Sequence, residues 1–374
     1  LKETPMQTTA AVARTAGGDF TIETLSIDGP RAGEVLVRIA GVGLCHTDLI
    51  FRDQFAPYPL PAVLGHEGAG VIEALGEGVS GLNIGDQVVL GFSSCGACPR
   101  CAEHLPSYCT SFPPLNYAGM RLEDGSTAYV SGDDRVASHF FGQSSFAAHA
   151  VVRAGNVVRV EDTAVPLELL GPLGCGLQTG AGGGMRSMAC PAGSSLVVIG
   201  GGAVGMAAVE AGVIQGCSRI VLVEPIAARR ELGREFGATD LIDPLAGNLT
   251  EAIRAVLPTG SDFAFDTSGR IDAIEAALAA LASRGMLGMV GVPPQAEHAI
   301  TLNVANAITF GQRVIGIMEG DSDPAEFIPE LIRHNRDGRF PFERLITRFP
   351  LSQINEAIAA QARGECTKVV LIPD

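Results

Sequence analysis

The chain has 374 residues, 47 % of them hydrophobic, which is enough for two domains with buried cores. A formal net charge of −15 argues against nucleic acid and against an anionic membrane surface as partners. No apolar run approaches the ~20 residues that span a bilayer, and the opening Leu1–Pro5 lacks an apolar signal core. It reads as a short added leader ahead of Met6, and the protein as cytoplasmic.

In chain order, Glu34–Ala40 alternates as a half-buried strand does, and it leads into Cys45-His46-Thr47-Asp48. Gly65-His66-Glu67 follows, with glycines at 70 and 76. Short strands are expected at Gly70–Ala74, Asp86–Leu90 and Phe146–Val152, between frequent turn signals. That texture predicts a barrel-like β domain.

Between the second and third of these strands lies Cys95-x2-Cys98-x2-Cys101-x7-Cys109. Four closely spaced thiolates suit one tetrahedral ion, and with no vacant position they make a closed structural zinc site. An iron–sulfur cluster takes the same donors, but nothing else in the chain suggests electron transfer. Nine cysteines, an odd count without an export signal, favour metal ligation over disulfides. Cys190, Cys217 and Cys366 read as small core residues. Gly174-Cys175-Gly176 adds a further isolated cysteine. Cys45, His66 and Cys175 together form a Cys2His set, which leaves one zinc position open.

After Leu170 the pattern changes. Ser195–Gly200 is a continuous apolar strand, Ala203–Gln215 a helix, Arg219–Glu224 a strand and Ala227–Phe236 a helix. Strands are expected at Asp240–Asp243, Asp262–Asp266, Met286–Val292 and Val314–Met318, with a helix over Ile271–Ser283. Strand–helix alternation predicts a doubly wound parallel sheet, an α/β Rossmann architecture. Gly200, Gly202 and Gly205 spell G-x-G-x-x-G between the first strand and its helix. Glu224 ends the next strand, where it can accept both ribose hydroxyls and repel a 2′-phosphate. This favours NAD over NADP, although Arg229 and Arg230 stand nearby. The tail carries helices at Pro324–Asn335 and Leu351–Arg363 and a strand at Lys368–Ile372. The expected domains are residues 1–178, 179–322, and a return of 323–374 to the first.

In this order and spacing, the His66 signature, the four-cysteine loop, the Cys175 segment and the glycine motif resemble the medium-chain, zinc-containing alcohol dehydrogenases. The likeness covers essentially the whole chain and is greatest to their bacterial aryl-alcohol branch. The resemblance implies a GroES-like β-barrel catalytic domain beside the Rossmann domain, with two zinc ions per chain. Cys45, His66 and Cys175 would bind the catalytic zinc and Cys95, Cys98, Cys101 and Cys109 the structural one. Glu67 would be a carboxylate able to approach the metal, and Asp48 the acceptor that orients His66.

The same resemblance places Thr47 at the proton-relay hydroxyl and His46 near the pyrophosphate. Ile50 stands where many relatives have the relay histidine. Thr179 and Val204 fall on the nicotinamide side, and Val290 to Val292 at its carboxamide. Arg229 falls beside the adenosine ribose, and Lys368 at the pyrophosphate. Gly91, Phe140, Phe141, Val292 and Met318 align with substrate-pocket walls. The implied reaction is NAD-linked, reversible oxidation of a primary, aromatic alcohol to its aldehyde by a homodimer or homotetramer. A rival within the superfamily is glutathione-dependent formaldehyde dehydrogenase, for which Arg121 or Arg52 could hold the glutathione carboxylate. A non-catalytic relative of the fold would be expected to have lost zinc ligands. His104, His139, His149, His298 and His334 read as structural or surface groups.

Overall fold

The computed structural model describes residues 6–161 and 163–374, so the expected leader at 1–5 lies outside the described residues. The chain divides into two compact units. The first comprises Leu1–Cys175, Asp323–Arg336 and Glu343–Asp374; the second comprises Gly176–Ser322 and Asp337–Phe342.

The first unit is mainly β. Its strands are β1 (Met6–Ala13), β2 (Phe20–Ile27), β3 (Glu34–Leu44), β4 (Ala62–Val63), β5 (Gly68–Leu75), β6 (Gln87–Leu90), β7 (Tyr129–Ser131), β8 (Asp134–Val136), β9 (His149–Arg153) and β10 (Val157–Arg159). The second unit supplies β11 (Ser195–Ile199), β12 (Arg219–Val223), β13 (Asp240–Ile242), β14 (Ser261–Asp266), β15 (Leu281–Met289) and β16 (Arg313–Gly316). The tail adds β17 (Ile346–Pro350) and β18 (Lys368–Ile372) to the first unit.

One sheet of the first unit has the order β4-β1-β2-β7-β8. The other runs β10-β6-β5-β3-β18-β17, with β9 also paired to β3. β3 is eleven residues long and buried along most of its length. Its register against β5 slips between Leu36 and Val37 and again between Ile39 and Gly41. Each slip is a bulge that bends the strand and lets it change partners along its length. At its end the chain turns directly into helix α1 (His46–Arg52), which positions the first site residues. The expected strand over Phe146–Val152 shortens to β9, because Ala147 makes only an isolated bridge to Ala10 before regular pairing begins.

All six strands of the second unit are parallel, in the order β13-β12-β11-β14-β15-β16. In chain numbering this is the 3-2-1-4-5-6 order of a dinucleotide-binding sheet. Val197, Ile199, Val221, Val223 and Leu287 pack with Ile253, Ile274 and Leu278 in one buried cluster. Truncating a fully buried member such as Ile253 to alanine removes about 2–5 kcal/mol. Ile253 belongs to a helix absent from the sequence expectations, Leu249–Val256, whose N-cap Asn248 accepts the Glu251 amide at 3.1 Å. β15 starts and ends earlier than the expected Met286–Val292. Its pairing with β16 stops at Met289–Gly316, and the Val290 and Gly291 amides turn onto Asp266 O. Among the described residues no helix is long and apolar enough to cross a membrane.

Candidate functional site

β3 ends at Leu44, and Cys45 is the N-cap of α1, so the helix start fixes Cys45, His46, Thr47 and Asp48 together. Asp48 is fully buried and uses both carboxylate oxygens. Oδ2 accepts the Cys45 amide at 3.0 Å; Oδ1 accepts the Gly65 amide at 3.1 Å and lies 2.7 Å from His66 Nδ1. One carboxylate thus ties three segments to each other and fixes the His66 ring. With Nδ1 engaged, Nε2 is the free nitrogen, and this buried atom has no hydrogen-bond partner.

One donor atom from each of Cys45, His66, Glu67 and Cys175 lies within 4.8 Å of the other three. The orphaned Nε2 and two adjacent thiols are the donor set that a tetrahedral zinc accepts, so the residues fit that ion. The hydrogen bond with Cys175, helped by the His66 and Lys368 charges, holds the Cys45 thiol well below its ordinary range despite burial. Burial presses the His66 imidazole downward, but Asp48 and Cys45 outweigh it and raise it well above 6.5. Thr47 is half-buried, with its hydroxyl 3.7 Å from Cys45 Sγ. His46 is exposed and Ile50 half-buried.

Glu67 is completely buried, and burial lifts its carboxyl to about 7 against the pull of Lys368. Lys368 Nζ stands 2.5 Å from Glu67 Oε2 and donates to Leu44 O at 3.1 Å. Lys368, which the resemblance places at the pyrophosphate, is buried in the first unit and paired with Glu67. The close fit explains Gly43 in β3: a Cβ there would lie 1.8 Å from Glu67 Oε2.

The segment around Phe140 and Phe141, whose backbone form the sequence does not reveal, braces this cluster. His139, Phe141, Gly142 and Ser144 all have φ between 49° and 68°, and three of these four are not glycine. Buried hydrogen bonds hold this left-handed run. Ser144 Oγ donates to Val63 O at 2.6 Å and accepts the Phe140 amide, while Asn156 Nδ2 donates to Phe141 O. Gln143 Nε2 donates to His66 O at 2.9 Å and Gly91 O at 3.0 Å, and Gln143 Oε1 accepts the Gly68 amide. The segment carries Phe140 and Phe141 onto His66. Phe141 stacks on the imidazole at 4.5 Å, and Phe140 meets it edge-on at 5.5 Å. Both rings are enclosed, at 0 % and 4 % exposure, so they form a wall behind the metal-ligand candidate. Gly91 is buried in the same unit, where an added Cβ would lie 3.4 Å from Pro324, whereas Met318 and the exposed Val292 belong to the second unit.

The four-cysteine loop brings Cys95, Cys98, Cys101 and Cys109 together within 4.8 Å. Cys98 and Cys101 sulfurs are 3.6 Å apart, and Cys95 and Cys101 sulfurs 4.0 Å. These are no disulfides: all four are free thiols. A tetrahedral ion with metal–sulfur bonds of ~2.3 Å sets sulfurs ~3.8 Å apart, so this cluster also fits zinc. Backbone amides point at the sulfurs, Cys98 N to Cys95 at 3.3 Å and Cys95 N to Cys109 at 3.2 Å. The amides of Cys101 and Thr110 pull Cys98 down to about 5, while burial pushes Cys109 up to about 11.

In the second unit, β11 ends at the glycine turn. Gly200 has φ +100°, and a Cβ on Gly205 would lie 1.8 Å from Gly200 O, so both positions require glycine. Gly202 caps the helix Ala203–Gln215, on whose first turn Val204 lies. Glu224 is buried and accepts the Gly201 amide at 2.6 Å and the Ile226 amide at 2.9 Å. Arg230 pairs with Asp243 at 3.1 Å and donates to Glu224 O, while Arg229 lies one residue before it in the same helix. Thr179 is buried on the glycine-rich helix Gly176–Gly182, its Oγ1 3.4 Å from Glu319. Of the remaining histidines, His139 and His149 contact Glu34 and Glu73, His104 and His334 contact acidic side chains, and His298 is exposed.

Two family models match the chain: an alcohol dehydrogenase GroES-like domain over residues 31–162 and a zinc-binding dehydrogenase over residues 203–334. Geraniol dehydrogenase of Castellaniella defragrans is 48 % identical over 365 residues, covering 97 % of each chain. Alcohol dehydrogenase 1 of Pisum sativum is 32 % identical and covers 97 % of this chain and 96 % of its own. Among solved structures, benzyl alcohol dehydrogenase from Acinetobacter calcoaceticus superposes with a TM-score of 0.94 at 39 % identity, covering 99 % of this chain and all of the other. A zinc-binding-domain alcohol dehydrogenase protein from Burkholderia ambifaria gives 0.95 at 45 %, covering 99 % of each.

Proposed function

Because this chain belongs to the medium-chain, zinc-type alcohol dehydrogenase family, we propose that it oxidises a primary allylic or benzylic alcohol to the aldehyde with NAD, reversibly. The observation that carries this reading is the convergence of Cys45, His66 and Cys175 donors with Asp48 on His66 Nδ1. Cys2His is the ligand set of the catalytic zinc in alcohol dehydrogenases.

In this reading those three residues hold the ion, which supplies Lewis acidity to a bound alcohol oxygen. Asp48 keeps the His66 tautomer with its lone pair on Nε2. Lys368 keeps Glu67 beside the donors as an alternative ligand. Thr47, at the head of α1 and next to Cys45, would accept the alcohol proton and hand it on toward a bound cofactor. With Ile50 following, the proton leaves without a side-chain base at that position. Cys95, Cys98, Cys101 and Cys109 hold a second, structural zinc. Gly200, Gly202 and Gly205 shape the pyrophosphate turn, with Thr179, Val204, Val290 and Val292 on the nicotinamide side. Glu224 receives the adenosine ribose. Arg230 supports NAD over NADP, since its guanidinium is already bound to Asp243 and to backbone carbonyls.

The substrate class rests on the neighbours. Geraniol and benzyl alcohol are both primary alcohols whose carbinol carbon adjoins a double bond or ring. Glutathione-linked substrates are disfavoured by the two arginines that could have held them. Arg121 is buried and bidentate to Glu34 at 2.8 and 3.0 Å, and Arg52 is paired with Asp53 at 2.6 Å. We also infer a homo-oligomer. β16 is an outer strand, and the helix before it exposes Val304, Ile308 and Phe310, an apolar surface that a second copy would cover. A single monomer by sedimentation at micromolar concentration contradicts that.

The deciding experiment is a rate panel of benzyl alcohol, geraniol, ethanol and S-hydroxymethylglutathione, each with NAD and NADP. The first two with NAD should give the highest kcat/KM. A preference for the glutathione adduct or for NADP overturns the corresponding half of the reading.

A further inference from the structure

Cys190 and Cys217 take no part in either cysteine cluster, yet they meet inside the second unit. Cys190 lies just before β11, and Cys217 follows the helix Ala203–Gln215. Backbone hydrogen bonds hold the two segments side by side: Gly193 N to Gly216 O at 2.8 Å and Ser218 N to Ser194 O at 2.8 Å. Gln215 Nε2 adds a contact to Cys190 O at 3.3 Å. The two thiols are free and hydrogen-bond to each other. Cys190 is 1 % exposed, whereas Cys217 is partly open to solvent and lies 3.6 Å from Ser194 Oγ.

We propose that Cys190 and Cys217 form a reversible disulfide, closing a covalent ring around β11, the Gly200–Gly205 turn and the following helix. Its oxidant is a low-molecular-weight disulfide such as oxidised glutathione. The chemistry follows from the asymmetry of the pair. The hydrogen bond from Cys190, with one from Ser194, holds the Cys217 thiol down at about 7 against burial, while the same contact and burial push Cys190 far up. Cys217 is therefore the thiolate that meets the oxidant. It attacks one sulfur of the small disulfide, forming a mixed disulfide and releasing one thiolate, which takes up a proton. Cys190 then loses its proton and attacks Cys217 Sγ, releasing the second small thiol. Two protein thiols are oxidised and one small disulfide is reduced to two thiols. The crosslink lies at the base of the glycine-turn unit, opposite the turn itself, and it leaves both proposed zinc sites untouched.

The sequence makes the test clean. Trypsin cutting at Arg186 and Arg219 releases Ser187–Arg219, which contains Cys190, Cys217 and no other cysteine. Zinc-loaded enzyme is incubated with oxidised glutathione, alkylated with iodoacetamide, digested without reductant and weighed. The peptide should be two hydrogens lighter than its reduced form and unlabelled, and it should take two labels if reduced first. Doubly labelled peptide after oxidation overturns the proposal. Two variants test the order of attack. C190S should trap a single glutathione on Cys217, and C217S should leave Cys190 reduced and without an adduct. Glutathione on Cys190 in C217S contradicts the assignment of Cys217 as the nucleophile.

Discussion

In the His66 cluster, Cys45 and His66 are held by secondary structure and by side chains that are not themselves donors. Cys45 caps a helix at the end of the longest strand of its sheet, Asp48 ties it to His66, and Phe140, Phe141 and Gln143 brace the ring from behind. The loop from Cys95 to Cys109 is built the other way. Its short helix, Pro99–Ala102, buries no residue, Cys95 is exposed, and several hydrogen bonds end on the sulfurs themselves. The difference teaches where each site draws its order. A catalytic centre that must keep one position open needs a scaffold that imposes geometry, whereas a closed structural centre can be organised by its own ion.

The sharpest way to break this contrast is at the hydroxyl beside the imposed geometry. Thr47→Val keeps the shape and removes the proton acceptor and donor, so benzyl alcohol oxidation at neutral pH should fall by ~10²–10⁴-fold with zinc content unchanged. Near-native turnover, with hydride transfer shown to be rate-limiting, removes Thr47 from the relay. Asp48→Asn weakens the support without touching a ligand. Activity or zinc affinity should drop by roughly 10–100-fold, and a zinc titration read alongside kcat separates the two.

At the loop the expected effect lies in local order. Cys98→Ser should leave about one zinc per chain and open the exposed Arg100–Cys101 bond to trypsin, with KM for alcohol little changed. If the loop stays protease-resistant without its metal, the account of what folds it is wrong. The smallest effect concerns a cluster that resembles neither centre. Burial pushes Glu34 upward, but His139, Arg121 and the Arg31 amide hold its carboxyl down to about 2 from an ordinary 4.5. The unfolded chain therefore binds this proton more readily than the folded one. Its stabilisation is full above about pH 4.5 and is lost as pH falls towards about 2. Glu34→Gln should flatten the dependence of melting temperature on pH across that window. An unchanged slope would show that other carboxylates govern acid unfolding.

Much of this was legible in the sequence because its signals are local. The x2 spacings of the cysteine loop, the glycines at 200, 202 and 205, and the alternation of strand and helix from Ser195 onward each reside within a few neighbouring residues. The Leu249–Val256 helix was missed although Asn248 and Glu251 carry a capping signal. Gln143 and the left-handed run from His139 to Ser144 could not be read. Phe141 and Ser144 carry no glycine-like mark, and their conformations are set by partners far along the chain, such as Val63 O and His66 O. The Lys368–Glu67 pair could not be read for the same reason. The two residues lie in different parts of the chain, and only the pairing of β18 with β3 brings them together.

The most direct test of the central claim is anomalous diffraction at the zinc edge from crystals of the purified enzyme. The account predicts two peaks per chain. One should be bonded to Cys95, Cys98, Cys101 and Cys109, and the other to Cys45, His66 Nε2 and Cys175, with its remaining position not filled by a protein thiol or imidazole. A single peak, or a second peak away from His66, contradicts it.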